Sequence, residues 1–82
     1  MINTPGRHPS VHNFRHHFDY DHLPRHLRAI SRRFHTLAQQ LVDELPDDPE
    51  LTEALRKLWE SKNSAVLLAA ASAKQQAERA DG

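Results

Sequence analysis

Seven histidines and six arginines crowd residues 1–35 of this 82-residue chain, and these are the side chains whose spacing bears on chemistry. His8, His12 and His16 recur every fourth residue, and His22 and His26 are spaced to share one helical face, the geometry that lets two imidazoles reach one metal ion. A third ligand would have to come from Asp19 or Asp21, and no H-E-x-x-H stands in the chain, so no metal site is expected. Arg28 and Arg32 lie one helical step of four apart and can grip one phosphate group together. Phe14, Phe18 and Tyr20 cluster among Arg15, His16, His17, Asp19 and Asp21. The two phenylalanines have the plain alternative of folding back as a lid on the helices, whereas a tyrosine ring can stack on a base while its hydroxyl stays hydrated. Cations beside flat rings suit a ligand made of phosphates and bases, and the segment from Phe14 to His35 supplies both.

Covalent catalysis finds no support. There is no cysteine, the serines fall at helical or arm positions, and Gly6 and Gly82 are the only glycines, so no glycine-rich loop exists to cradle a nucleotide. Neither an enzymatic activity nor a cofactor is expected.

These residues must be positioned by helices. Leu45-Pro46-Asp47-Asp48-Pro49-Glu50 ends one helical pattern and starts another, because prolines at both edges oppose one continuous helix. Asp47 or Asp48 can accept bonds from the free amides of the second helix, Pro49 suits its first turn, and Glu50 and Glu53 favour the positive end of its dipole. The first helix should run over about 24–44, the turn over 45–48 and the second helix over about 49–79. Leu23, Leu27, Ile30, Phe34, Leu37, Leu41 and Leu45 form its stripe at nearly heptad spacing, widened by Ala38 and Val42. The second helix has two adjacent stripes, one broken by Lys62 and the other by Asn63, which mark either a polar pocket or side chains reaching out to water. Its last ten residues read as an exposed tail. Residues 1–22 read as a flexible arm and an aromatic entry segment, the arm over 1–13 having Pro5, Gly6, Pro9, few apolar residues and no period, and residues 23–82 read as a helical hairpin. The fold class expected is therefore all-α, an antiparallel helical hairpin with an irregular N-terminal arm. Two helices of this size cannot close a core by themselves, so a homo-oligomer is expected.

The formal net charge of zero conceals segregation. Residues 1–35 carry a balance of +4 and residues 43–60 a balance of −5. The basic end attracts anions, or aligns antiparallel subunits head to tail. General nucleic-acid binding is disfavoured, because the acidic stretch opposes a long polyanion. No apolar run is long enough to span a membrane, the start is polar, and the lack of cysteine fits a reducing compartment, so a cytoplasmic protein is expected.

Four pieces in order resemble a known pattern. Phe18-Asp19-Tyr20-Asp21-His22, Ile30 to Ala38, Pro46-Asp47-Asp48-Pro49-Glu50 and Ala54-Leu55-Arg56-Lys57-Leu58 are similar to the F-x-Y-H, I-R-x-x-A-K-x-L-A, P-D-S-x-E and A-L-x-K-L runs of a helical-hairpin family. That family comprises small phage proteins that sequester cyclic nucleotide signals of bacterial immunity, the anti-CBASS and anti-Thoeris sponges. The resemblance spans residues 18 to about 73. It implies a homo-oligomer, a hexamer of hairpins, that binds cyclic di- or trinucleotides between subunits without cleaving them, in the cytoplasm of the host cell. It also implies that Tyr20 stacks on a base, with His22 beside it, and that His35, at the family's lysine position, meets the phosphates. Together with Arg28 and Arg32, these residues make up the expected ligand site. The alternative is a helical interaction or structural phage protein that packs on itself or on a host protein without a nucleotide.

Overall fold

The computed structural model describes the backbone of residues 1–80 and the side chains of residues 1–74, leaving the sequence reading of an exposed tail largely outside the described residues. The structure is all-α: a short α1 (Pro9–His12), α2 (Arg25–Glu44) and α3 (Pro49–Ala80), with no strand among the described residues. No helix among them is long and apolar enough to cross a membrane.

α2 starts one residue later than its proline suggests. Pro24 is the N-cap in an extended conformation, and its carbonyl accepts from Leu27 N (2.9 Å) and Arg28 N (3.0 Å). At the other end Leu45 turns extended just before Pro46, as the residue preceding a proline tends to do. Asp48 then opens α3 by accepting from Glu50 N at 2.9 Å. Asp47 has a different task, since both its carboxylate oxygens lie 3.2 Å from His8 N.

The seam between α2 and α3 is rotated from the stripe of large residues. Leu27, Ser31, Ala38 and Val42 are buried on α2, whereas Leu37 and Leu45 are 43% and 40% exposed. Small residues at 31 and 38 let other elements approach closely, and Leu51 and Leu55 of α3 enter the same core as Ala38 and Val42. At about 1.5 Å per residue α3 is roughly 48 Å long against roughly 30 Å for α2, so its last turns run beyond α2. Leu67 and Leu68 lie level with the start of α2, on the side of α3 away from the seam, and are 73% and 68% exposed.

Residues 1–13, read from the sequence as a flexible arm, instead pack onto the helices through Ile2 and Val11. Ile2, Val11 and Phe18 are each at most 1% exposed and belong to the central core, with Phe14 packed on its margin. Three features seat the segment. Gly6 takes φ +70°, a turn conformation that side chains resist. The Gln39 carboxamide pairs with the backbone of Asn3 in both directions, accepting from its N–H at 2.7 Å and donating to its carbonyl at 2.9 Å. Arg7 donates to the Val42 carbonyl, and Ser10 Oγ lies 2.7 Å from Thr52 Oγ1. α1 is capped by His8, whose Nδ1 accepts from Ser10 N at 3.1 Å. The segment is thus a third layer over the α2–α3 seam, and it supplies the apolar cover that two helices alone lack. Phe14 and Phe18 fold back onto the helices.

Candidate functional site

α2 presents the basic residues by simple periodicity. Arg28, Arg32 and His35 stand at i, i+4 and i+7 and so share one face of the helix. Arg28 and Arg32 are exposed, and among the described residues neither has a carboxylate partner. Their guanidinium groups are therefore open to an anion.

Tyr20 reaches this face from the segment before α2. Its ring meets that of His35 with centroids 5.2 Å apart at 78°, an edge-to-face contact, and both residues are half-buried. In such a contact one ring presents its edge to the face of the other, and His35 shares its helical face with Arg28 and Arg32. Of the residues expected to form a site, the structure brings Tyr20 against His35 and sets Arg28 and Arg32 on the same helical face. His22 is exposed, and its side chain makes no hydrogen bond or ring contact among the described residues.

What holds Tyr20 in place was not visible in the motif. The buried Lys62 Nζ donates to the carbonyls of His17 at 2.7 Å and Asp19 at 3.2 Å, tying the turn just before Tyr20 to the middle of α3. Burial lowers the Lys62 pKa from the ordinary lysine value, and the negative charge of Asp19 works against that shift. Lys62 thus neither reaches out to water nor lines an open pocket; its ammonium is spent on main-chain acceptors. Asp19 is fixed in turn by the N-terminal ammonium at 2.7 Å and by His16 Nδ1 at 2.9 Å. Burial would raise the Asp19 carboxyl, but hydrogen bonds and charge from these two groups outweigh it and hold the carboxyl below its usual range. On the other side of the same turn, His17 packs edge-on against Trp59 at 4.7 Å and tilts over Phe14 at 4.9 Å. A charged residue interrupting the apolar stripe of α3 was the one signal for this clamp.

A cavity lies elsewhere. A pocket of about 350 Å³ between α1 and the start of α3 is lined by His8, Ser10, Asp47, Asp48, Thr52 and Glu53. Three carboxylates make it a poor seat for phosphates. Among the described residues no three His, Asp or Glu side chains converge as a metal would need.

Compared with family models, curated proteins and solved structures, the chain matches none of them.

Proposed function

We propose that this chain is a non-enzymatic sponge that binds and sequesters cyclic oligonucleotide second messengers of bacterial anti-phage immunity. The observation that carries the reading is the Tyr20–His35 ring pair on the helical face that also bears Arg28 and Arg32. A cyclic di- or trinucleotide carries flat bases and closely spaced phosphates, and this surface offers ring and cation within one or two helical turns. Tyr20 stacks on a base, Arg28 and Arg32 share a phosphate, His35 backs the ring and turns toward the phosphates, and His22 closes the edge. In this reading α2 and α3 form an antiparallel helical hairpin that assembles as a homo-oligomer, a hexamer in the family it resembles, and acts in the cytoplasm. No residue is assigned to bond cleavage, so the ligand is held and not consumed.

Calorimetry of the purified chain against a panel of cyclic di- and trinucleotides tests this. Saturable binding is expected, with the nucleotide recovered intact after denaturation. Tyr20→Ala should lose about 1–3 kcal/mol of affinity, the worth of one base stack. Cleaved ligand would replace the sponge by an enzyme, and absence of binding across the panel would remove the proposal.

The second reading, an interaction protein that packs on a host protein, is favoured by Leu67 and Leu68 standing exposed on the outer surface of α3. It predicts that Leu67→Glu with Leu68→Glu abolishes biological activity while Tyr20→Ala and Arg32→Gln leave it unchanged.

A further inference from the structure

The N-terminal segment covers only one side of the helix pair. It touches α2 at Gln39 and α3 at Thr52 and Trp59. Leu37 and Ala54 lie two positions from Gln39 and Thr52, about 200° round their helices, and so face the other way. On that side Leu37 and Leu45 of α2 are exposed and Ile30 is half-buried, while Phe34, Leu41 and Leu58 of α3 pack against the core and remain only partly covered.

We infer that this uncovered face is where a second copy of the chain docks, α2 against α2 and antiparallel. Self-association is favoured over a foreign partner by the charges that frame the face. Arg33 stands beside the stripe in the first half of α2 and Glu44 beside it at the end, whereas Arg25, Arg28, Arg32 and Asp43 lie toward the Gln39 side of the helix. A parallel pair would set Arg33 on Arg33 and Glu44 on Glu44. An antiparallel pair sets Arg33 of each copy on Glu44 of the other, twice, as a two-fold axis requires. Ile30 and Phe34 of one copy then lie toward Leu41 and Leu45 of the other, with Leu37 near the axis. Arg33 and Glu44 flank the same apolar stripe, so they are the pair brought together across the contact. Arg28 and Arg32 project toward the side where the N-terminal segment lies, so docking leaves the Tyr20–His35 face open. This inference rests on the homo-oligomer part of the proposed function and is independent of its nucleotide part.

Sedimentation equilibrium over a wide concentration range tests it, with circular dichroism as the check on folding. The wild-type chain should show reversible, concentration-dependent self-association in which the dimer is the smallest assembled species. Leu37→Glu should weaken the dimer by about a hundredfold, as an unpaired charge in an apolar contact does, with helicity retained. Arg33→Glu and Glu44→Arg should each weaken it by about tenfold, and the double reversal should restore it. Leu67→Glu with Leu68→Glu should leave it unchanged. A chain that stays monomeric at every concentration overturns the inference, as does a dimer indifferent to Leu37→Glu. Dissociation by the Leu67/Leu68 variant alone would place the contact on the outside of α3, overturning this face while the homo-oligomer reading stands. Failure of the double reversal would overturn the antiparallel arrangement. Nucleotide titration of the same variants reads the proposed function separately.

Discussion

Replacing Lys62 by methionine isolates the clamp that sets Tyr20 in place, because methionine keeps an unbranched apolar stem and removes the ammonium. Lys62 Nζ satisfies two carbonyls, those of His17 and Asp19, in a region from which water is largely shut out. Each carbonyl left without a donor costs about 1–3 kcal/mol. Against this stands relief from burying a charge, the same dehydration that lowers the pKa of Lys62. The net expectation is a loss of about 2 kcal/mol, or roughly 10 °C in melting temperature for a domain of this size. Since Trp59 is the only tryptophan and packs on His17, its emission reports on the same turn. Urea unfolding followed both by tryptophan fluorescence and by helical circular dichroism should show the two transitions shifting together, with the native Trp59 emission itself altered in the variant.

The pH dependence supplies an independent check on the same residue. A lysine whose folded pKa is lowered binds its proton less readily folded than unfolded, so stability rises with pH between the folded value and the ordinary 10.5. The wild-type chain should show that alkaline increment and Lys62→Met should lack it. If the variant matches the wild type in stability and keeps its Trp59 emission, the two hydrogen bonds contribute nothing and the account of how Tyr20 is held is wrong.

Two further predictions address the N-terminal segment. Phe18→Ala removes a fully buried aromatic shared by the segment and both long helices, and should cost about 3–5 kcal/mol in urea unfolding; a loss below about 1 kcal/mol would mean that the segment is not part of the cooperative core. Asp19, with its folded pKa depressed, contributes stability that is complete above the unfolded carboxylate value near about 3.9 and disappears as pH falls through the lower folded one. Acid titration of Trp59 emission should therefore show a step below about pH 4 that Asp19→Asn abolishes, and a step persisting in that variant would assign it to other groups.

The parts of this fold legible in the sequence are those specified by neighbours in the chain. Proline at 46 and 49 with two aspartates between them marks the break between α2 and α3, and of the two Asp48 is the one that caps α3. Arg28 and Arg32 could be placed on one face from spacing alone. The N-terminal segment was hard to read because Val11, Phe14 and Phe18, at spacings of three and four, follow a helical period too briefly to outweigh Pro5, Gly6 and Pro9, Ile2 stands apart from them, and two of its main contacts use backbone groups, at Asn3 and His8. Asp47 illustrates the limit: beside a helix start it reads as a cap, yet it is engaged by an amide 39 residues away. Likewise Lys62 is ambiguous within α3, since the carbonyls that decide its fate lie 43 and 45 residues earlier in the chain.

Finding the segment in the core changes the argument about assembly. A bare helix pair must recruit copies of itself to bury its apolar surface, whereas here Ile2, Val11 and Phe18 close one side from within the chain. Folding therefore no longer demands an oligomer, and in the proposed assembly association is an equilibrium set by the half-covered side of α2. The division also separates the two surfaces that matter. The side bearing the N-terminal segment holds Tyr20 against His35 beside the open arginines, and the other side offers Leu37 and the Arg33 and Glu44 flanks. A change on one side can then alter self-association while leaving anion binding intact, and a change at the Lys62 clamp should do the reverse. That reciprocity follows from geometry alone, because Lys62 touches the turn before Tyr20 and not the stripe on α2.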